Sequence, residues 1–364
     1  MADAPPEGER QGAGSPARAR NRRPAPDALY AALDLGTNNC RLLIAQKTQG
    51  GFRVVDAFSR IVRLGEGLSL TGELQPEAMD RAMAALSICA ERLRRRGRPR
   101  IRAVATQACR TAGNGKAFLE RVRREAGIAL EVISPQEEAR LSVAGCVNLI
   151  DREARAALIL DVGGGSTELS WLDLTKARGD GPPPILAWLS IPIGVVTLAE
   201  RFPEARPGEA AWYREMVESM KTPIVAFERA NGLKGAFDAG EAHLIGTSGA
   251  ITSLAGIHLN LHRYDRNRVD GLWMTPAECE ATAERLLAQA PAERAKQPCV
   301  GPDRADLVLA GAAILQAVQE TWPCARVRVA DRGLREGLLL SMMTGGRKRR
   351  RRRSRGRAPA MAPA

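Results

Sequence analysis

Along the chain, apolar residues switch repeatedly between simple alternation, which marks a half-buried strand, and the 3.6-residue period of an amphipathic helix. Residues 30–34, 41–46 and 52–60 read as strands, 76–96 as a helix, and strands at 102–105 and 130–133 flank another helix. The theme then restarts. A nearly all-apolar strand at 157–162 is interrupted only by Asp161, a glycine turn follows, and strands are predicted at 167–172 and 185–192. Helices over 207–230, 249–261, 275–290 and 305–320 precede a last strand at 325–330 and a helix at 333–343. Strands alternating with helices in this way predict α/β architecture.

The restart is visible in the residues themselves. Leu33-Asp34-Leu35-Gly36-Thr37-Asn38-Asn39 aligns with Leu160-Asp161-Val162-Gly163-Gly164-Gly165-Ser166, and apolar residues follow both. A chain of 364 residues is long enough for two cores. One copy per domain predicts two similar domains, 28–141 and 142–333, whose turns share an interdomain cleft, a common ligand position in such folds.

Composition changes the picture mainly at the ends. The net charge of +13 is concentrated in the run Arg347-Lys348-Arg349-Arg350-Arg351-Arg352-Arg353, so the body is only mildly basic. Segments 1–27 and 345–364 have too few large apolar residues to offset the entropy of ordering and are expected to be disordered tails. The basic run admits a polyanion- or RNA-binding reading as well as that of a solubilising tail. It has no interleaved aromatics to stack on bases, and only 4% of all residues are aromatic. The seven cysteines form no Cys-x-x-Cys pair, which suits reduced thiols. With no signal-peptide core and no run of apolar residues long enough to span a bilayer, the expected location is the cytoplasm, without membrane association.

The most specific chemical signal is Asp161-Val162-Gly163-Gly164-Gly165-Ser166-Thr167-Glu168. Consecutive glycines let backbone N–H groups cradle phosphate oxygens that a Cβ would hold off. Ser166 and Thr167 add hydroxyls. Carboxylates at both ends would repel phosphate without a hard cation between them, so Asp161 and Glu168 read as ligands of Mg²⁺. Asp34, Gly36, Thr37 and Asn38 repeat the logic more sparsely. Gly246-Thr247-Ser248-Gly249 joins a short strand to a helix, which makes it either an anion-binding helix start or a plain cap. In Ser134-Pro135-Gln136-Glu137-Glu138 the start of a helix accounts for the N-cap, the proline and the first-turn acids, yet Glu138 lies where the domains meet and is placed to deprotonate a water. Arg110 follows a strand, where a guanidinium either clamps phosphate or is simply solvated. No Walker loop, Gly-x-Ser-x-Gly elbow, protein-kinase set or zinc motif is present, which disfavours a covalent serine mechanism.

These residues, together with Ala105-Thr106, Glu137 to Leu141 and Gly333-Leu334-Arg335-Glu336-Gly337, resemble the exopolyphosphatase/guanosine pentaphosphate phosphatase family over 29–343. The resemblance implies two ribonuclease H-like domains of the acetate kinase and actin-like superfamily. It also implies Mg²⁺-dependent attack of water on a terminal phosphate, with Glu138 as the catalytic glutamate. Asp161 and Glu168 match the metal-associated carboxylates, Arg110 and the glycine loops the phosphate contacts, and the helix 334–343 is expected to return to the first domain. Two departures stand out: Asn39-Cys40 replaces a more usual serine and its neighbour, and longer members continue into a helical HD-like region. Polyphosphate and guanosine pentaphosphate both fit as substrate. Chain-length preference and a homodimer stay open, and an ATPase or sugar kinase of the same superfamily is the enzymatic alternative.

Overall fold

The computed structural model describes residues 28–151, 153–177, 181–204 and 210–354. Segment 1–27 and residues from 355 onward, both expected to be disordered, lie outside the described residues. The last helix, expected to end at 343, runs Leu334–Ser354. Lysine and arginine are good helix formers, so a basic composition does not by itself end a helix.

The strands form two sheets. In the first, β1 (Leu29–Leu35), β2 (Asn39–Thr48) and β3 (Gly51–Ile61) make an antiparallel meander, and β4 (Arg100–Ala105) and β5 (Glu131–Val132) join parallel to β1, giving the order β3-β2-β1-β4-β5. In the second, β6 (Ala156–Val162), β7 (Thr167–Asp173) and β8 (Ile185–Ile191) repeat the meander. There β9 (Ala242–Thr247) and β11 (Val327–Ala330) run parallel to β6, and β10 (Trp273–Met274) adds an antiparallel edge. Read as β8-β7-β6-β9-β11, the second sheet reproduces the first strand for strand. The short strand β10 and the helix Val195–Arg201 carry no sequence pattern that announces them.

Both faces of the first sheet are covered, as its strands' period of two requires. Ala31, Leu33 and Leu35 pack under the helices Pro76–Arg95 and Gly115–Ala126, while Tyr30 and Ala32 pack with Leu338, Leu339, Met342 and Met343 of the last helix. Lys47 Nζ donates to the Met343 carbonyl at 2.8 Å.

One helix belongs to both halves. Pro135–Cys146 contributes Leu141 to the core of the first sheet and Val143 and Cys146 to a cluster with Ala157, Ile159 and Ile245 of the second. The boundary expected at 141/142 therefore falls inside a single rigid rod. Glycines lock that rod to the last helix and the residue before it: a Cβ on Gly145 would lie 2.0 Å from the Gly333 carbonyl oxygen, and one on Gly337, in the first turn of that helix, 2.0 Å from that of Leu141.

Candidate active site

The two glycine turns are built alike. Gly36 N–H donates to Asn39 O and Gly163 N–H to Ser166 O, each at 2.9 Å, so each hairpin closes with the same four-residue turn. In the second turn the carbonyls of Gly163 and Gly164 accept from Val195 and Val196 N–H at 3.0 and 2.8 Å, in the first turn of the helix Val195–Arg201. Across a planar trans peptide the N–H points opposite to the C=O. The N–H groups of Gly164 and Gly165 are thus turned away from that helix, toward the cleft these residues line. In the first turn Gly65 N–H takes the Thr37 carbonyl, and Val62 and Arg63 take that of Asn38. The turns also touch each other. A Cβ on Gly164 would lie 2.9 Å from Asn38 N, and one on Gly165 2.1 Å from Gln107 Oε1.

Strand register then fixes the charges. Asp161 faces Glu168 across β6–β7, and Asp34 faces Arg41 across β1–β2. Glu138 enters from the first turn of the shared helix, whose N-cap Ser134 accepts from Glu137 N–H at 3.2 Å. Its neighbour Glu137 is held outside by Arg102 at 3.2 Å and Arg140 at 2.7 Å. Glu138 Oε2 accepts from Arg110 Nη1 at 3.2 Å, and the same nitrogen donates to Ile133 O at 2.8 Å.

Burial, then the Glu168 carboxylate, push Glu138 well above the usual carboxylate range, against the pull of Arg110. Burial, then Asp161, lift Glu168 to about 7. Burial lifts Asp161, with a Ser142 hydrogen bond opposing it, and lifts Asp34 to about 6 against Arg41 and Arg335. Burial and the like charge of Arg335 lower Arg41 in turn. Burial is thus the first cause of every shift among these carboxylates, and Asp34 Oδ1, Asn38 Oδ1 and Asn39 Oδ1 are buried without a hydrogen-bond partner, which leaves oxygen acceptors free to face a cation or a donor. Among the described residues no three His, Cys, Asp or Glu side chains come together as a metal cage. A carboxylate pair rather than a cage suits Mg²⁺, which keeps several waters and shares its shell with substrate phosphate.

The cleft brings together Asp34, Gly36, Thr37, Asn38, Glu138, Asp161, Gly163, Gly164, Gly165, Ser166, Thr247 and Ser248 from the sequence-derived set. Gly249 lines an adjoining pocket instead. Arg110 reaches the cleft through its contact with Glu138. Two residues are placed differently from expectation. Thr167 donates its hydroxyl to the Ile193 carbonyl at 2.8 Å, because successive strand residues point to opposite faces; Glu168 shares the face of its register partner Asp161 but is buried behind the cleft and does not itself line it. Gly246 sits within β9, where a Cβ would meet Ile251 at 3.0 Å, so it packs toward the core.

Sequence reasoning missed Arg41, Gln107, Arg332 and the lining role of Arg335. The signal for Arg41 was present: continuing the alignment of the two hairpins pairs it with Glu168. Arg332 is anchored by Asp270, with Nε to Oδ2 at 2.9 Å, and its carbonyl accepts from Thr247 Oγ1 at 2.7 Å. No local pattern marks that long-range arrangement.

The sequence profile of the Ppx/GppA phosphatase family matches residues 43–345. Exopolyphosphatase 2 of Mycobacterium tuberculosis is 30% identical over 331 residues, covering 86% of this chain and 98% of the relative. Among solved structures, the Aquifex aeolicus Ppx/GppA family member superposes with a TM-score of 0.70 at 28% identity, over 88% of this chain and 98% of its own. An exopolyphosphatase from Cytophaga hutchinsonii gives 0.75 at 25% identity, over 87% and 98%. Two matched sheets, a shared cleft and a family match across most of the described fold lead to one conclusion: the chain belongs to the Ppx/GppA phosphatase family and is a hydrolase of phosphoanhydride bonds.

Proposed function

We propose that the protein is a cytoplasmic exopolyphosphatase that releases terminal orthophosphate from inorganic polyphosphate by Mg²⁺-assisted attack of water. The observation that carries this reading is the meeting of Glu138 with the Asp161–Glu168 hairpin and both glycine turns in one cleft.

Asp161 and Glu168 would hold the cation, which when bound supplies neutralising charge to the terminal phosphate. The N–H groups of Gly164 and Gly165 offer fixed dipoles to oxygens on which charge develops, without reorganisation during the reaction. Arg110 holds Glu138 in position through Nη1. Glu138 in its ionised form takes a proton from the attacking water onto a carboxylate oxygen, and burial raises its proton affinity above that of an ordinary carboxylate. The basic run from Arg347 would add a sequence-independent attraction for a polyanionic substrate, which weakens as salt rises.

The test is phosphate release from short and long polyphosphate and from guanosine pentaphosphate, comparing wild type with Glu138→Ala. Loss of general-base catalysis predicts a fall of about 10²–10⁴-fold with thermal stability retained. Faster release from guanosine pentaphosphate than from either polymer would move the substrate assignment to the nucleotide. An unchanged rate in the variant would remove Glu138 from its role.

A further inference from the structure

Two serines outside every motif hold the carboxylates of this site. Ser142 Oγ donates to Asp161 Oδ2 at 2.6 Å, and Ser190 Oγ donates to Glu168 Oε1 at 2.9 Å. A serine inside a helix ordinarily bonds back to the carbonyl four residues earlier or turns to solvent. Ser142 does neither: it is 1% exposed and reaches across to β6. It also lies four residues after Glu138 on the same helix, so both side chains project from one face. The Ser142–Asp161 bond therefore ties the rod that carries the base to the hairpin that carries the carboxylates. Ser190 is the direct register partner of Glu168 across β7–β8 and fixes the hairpin's other carboxylate from the strand beyond.

We infer that Ser142 and Ser190 are positioning residues for the divalent cation, each fixing one carboxylate so that the pair is presented in a single geometry. The inference rests on the Mg²⁺ reading of Asp161 and Glu168. Hydroxyls that orient ligating carboxylates are worth about 10–100-fold in metal affinity where they have been removed from metalloproteins.

The experiment measures Mn²⁺ binding to the full chain by electron paramagnetic resonance, with and without orthophosphate, in wild type, Ser142→Ala, Ser190→Ala and Ser190→Thr. Each alanine variant is expected to weaken binding by about 10–100-fold. Ser190→Thr, which keeps the hydroxyl, should bind close to wild type, and the apparent KM for Mg²⁺ should rise by more than kcat falls. A purely structural role would lower the melting temperature and leave Mn²⁺ affinity alone. Unchanged affinity in both folded alanine variants overturns the inference. Should Ser142→Ala fail to fold, Ser190→Ala decides it, since Ser190 lies on an edge strand. Wild type that binds no Mn²⁺ in either condition would instead sink the cation reading, and the inference with it.

Discussion

The hairpins β1–β2 and β6–β7 share a turn, a hydrogen-bond pattern and an aspartate at the same register, yet they differ in the residue opposite that aspartate. In the first hairpin it is Arg41, whose positive charge partly opposes the burial that lifts Asp34. In the second it is Glu168, so two buried carboxylates face each other, and Asp161 adds to the burial that lifts Glu168. A duplicated scaffold thus yields two chemically distinct walls of one cleft, and a single cross-strand position decides which is which.

The largest effect should come from Glu168→Gln, which removes half of the carboxylate pair. Loss of an orienting neighbour alone costs about 10–100-fold in metal affinity, so loss of a ligand should cost at least about 100-fold in Mg²⁺ dependence of turnover. A Mg²⁺ titration of phosphate release checks this. An unchanged titration would erase the distinction between the hairpins.

The turns themselves should respond unequally. In Gly164→Ala the new methyl would lie 2.9 Å from Asn38 N, forcing the two loops apart, whereas a methyl on Gly36 meets nothing closer than 3.5 Å. A displacement of about 1 Å among reacting groups can cost about 100-fold, so Gly164→Ala should lose up to that much in kcat/KM while Gly36→Ala stays close to wild type. Equal losses would mean that close contact between the loops does not matter.

Much of this was legible in the residues. The period-two strands, the repeat around Asp34 and Asp161, and the carboxylates bracketing three glycines all follow from local sequence. What escaped lies in long-range partners. Val195 and Val196 draw off the glycine carbonyls from thirty-odd residues away, and Ser142 and Ser190 reach acids on other elements. Thr167 is a different kind of miss: strand alternation already forbade Thr167 and Glu168 from facing the same side, so that rule outranks the appeal of a hydroxyl beside a glycine loop.

A smaller effect concerns stability. Asp34 is lifted from 3.8 to about 6 in the fold, mainly by burial. A carboxylate with a raised folded pKa binds more protons when native, so its relative stability is present below about 3.8 and is lost as pH rises through about 6. At neutral pH the charged Asp34 is therefore a cost of at most about 3 kcal/mol, at about 1.36 kcal/mol per pH unit. Asp34→Asn should raise the melting temperature of the metal-free protein at pH 7, should lose that advantage near pH 4, and should lower turnover. Denaturation across that pH range reads it directly. A gain independent of pH would place the effect in packing instead of charge.

The smallest effect extends the comparison to the strand-to-helix junctions. Thr106 after β4 and Ser248 after β9 occupy equivalent places, each leading into a helix. Thr106 adopts φ −114°, which any residue tolerates, but Ser248 sits at φ 90° and ψ 170°, a region open almost only to glycine and costing a side chain about 1–3 kcal/mol. Glycine there relieves the strain but gives the unfolded chain more freedom, a penalty of roughly 0.5–1 kcal/mol. Ser248→Gly should therefore stabilise by on the order of 1 kcal/mol, and Thr106→Gly, with no strain to relieve, should destabilise. Because Ser248 lines the cleft, a stabilised Ser248→Gly with reduced turnover would mean that the strained backbone presents its hydroxyl or amide to substrate. Stabilisation with full turnover would leave the strain as a consequence of packing between the sheets, and both outcomes are read from one melt and one rate.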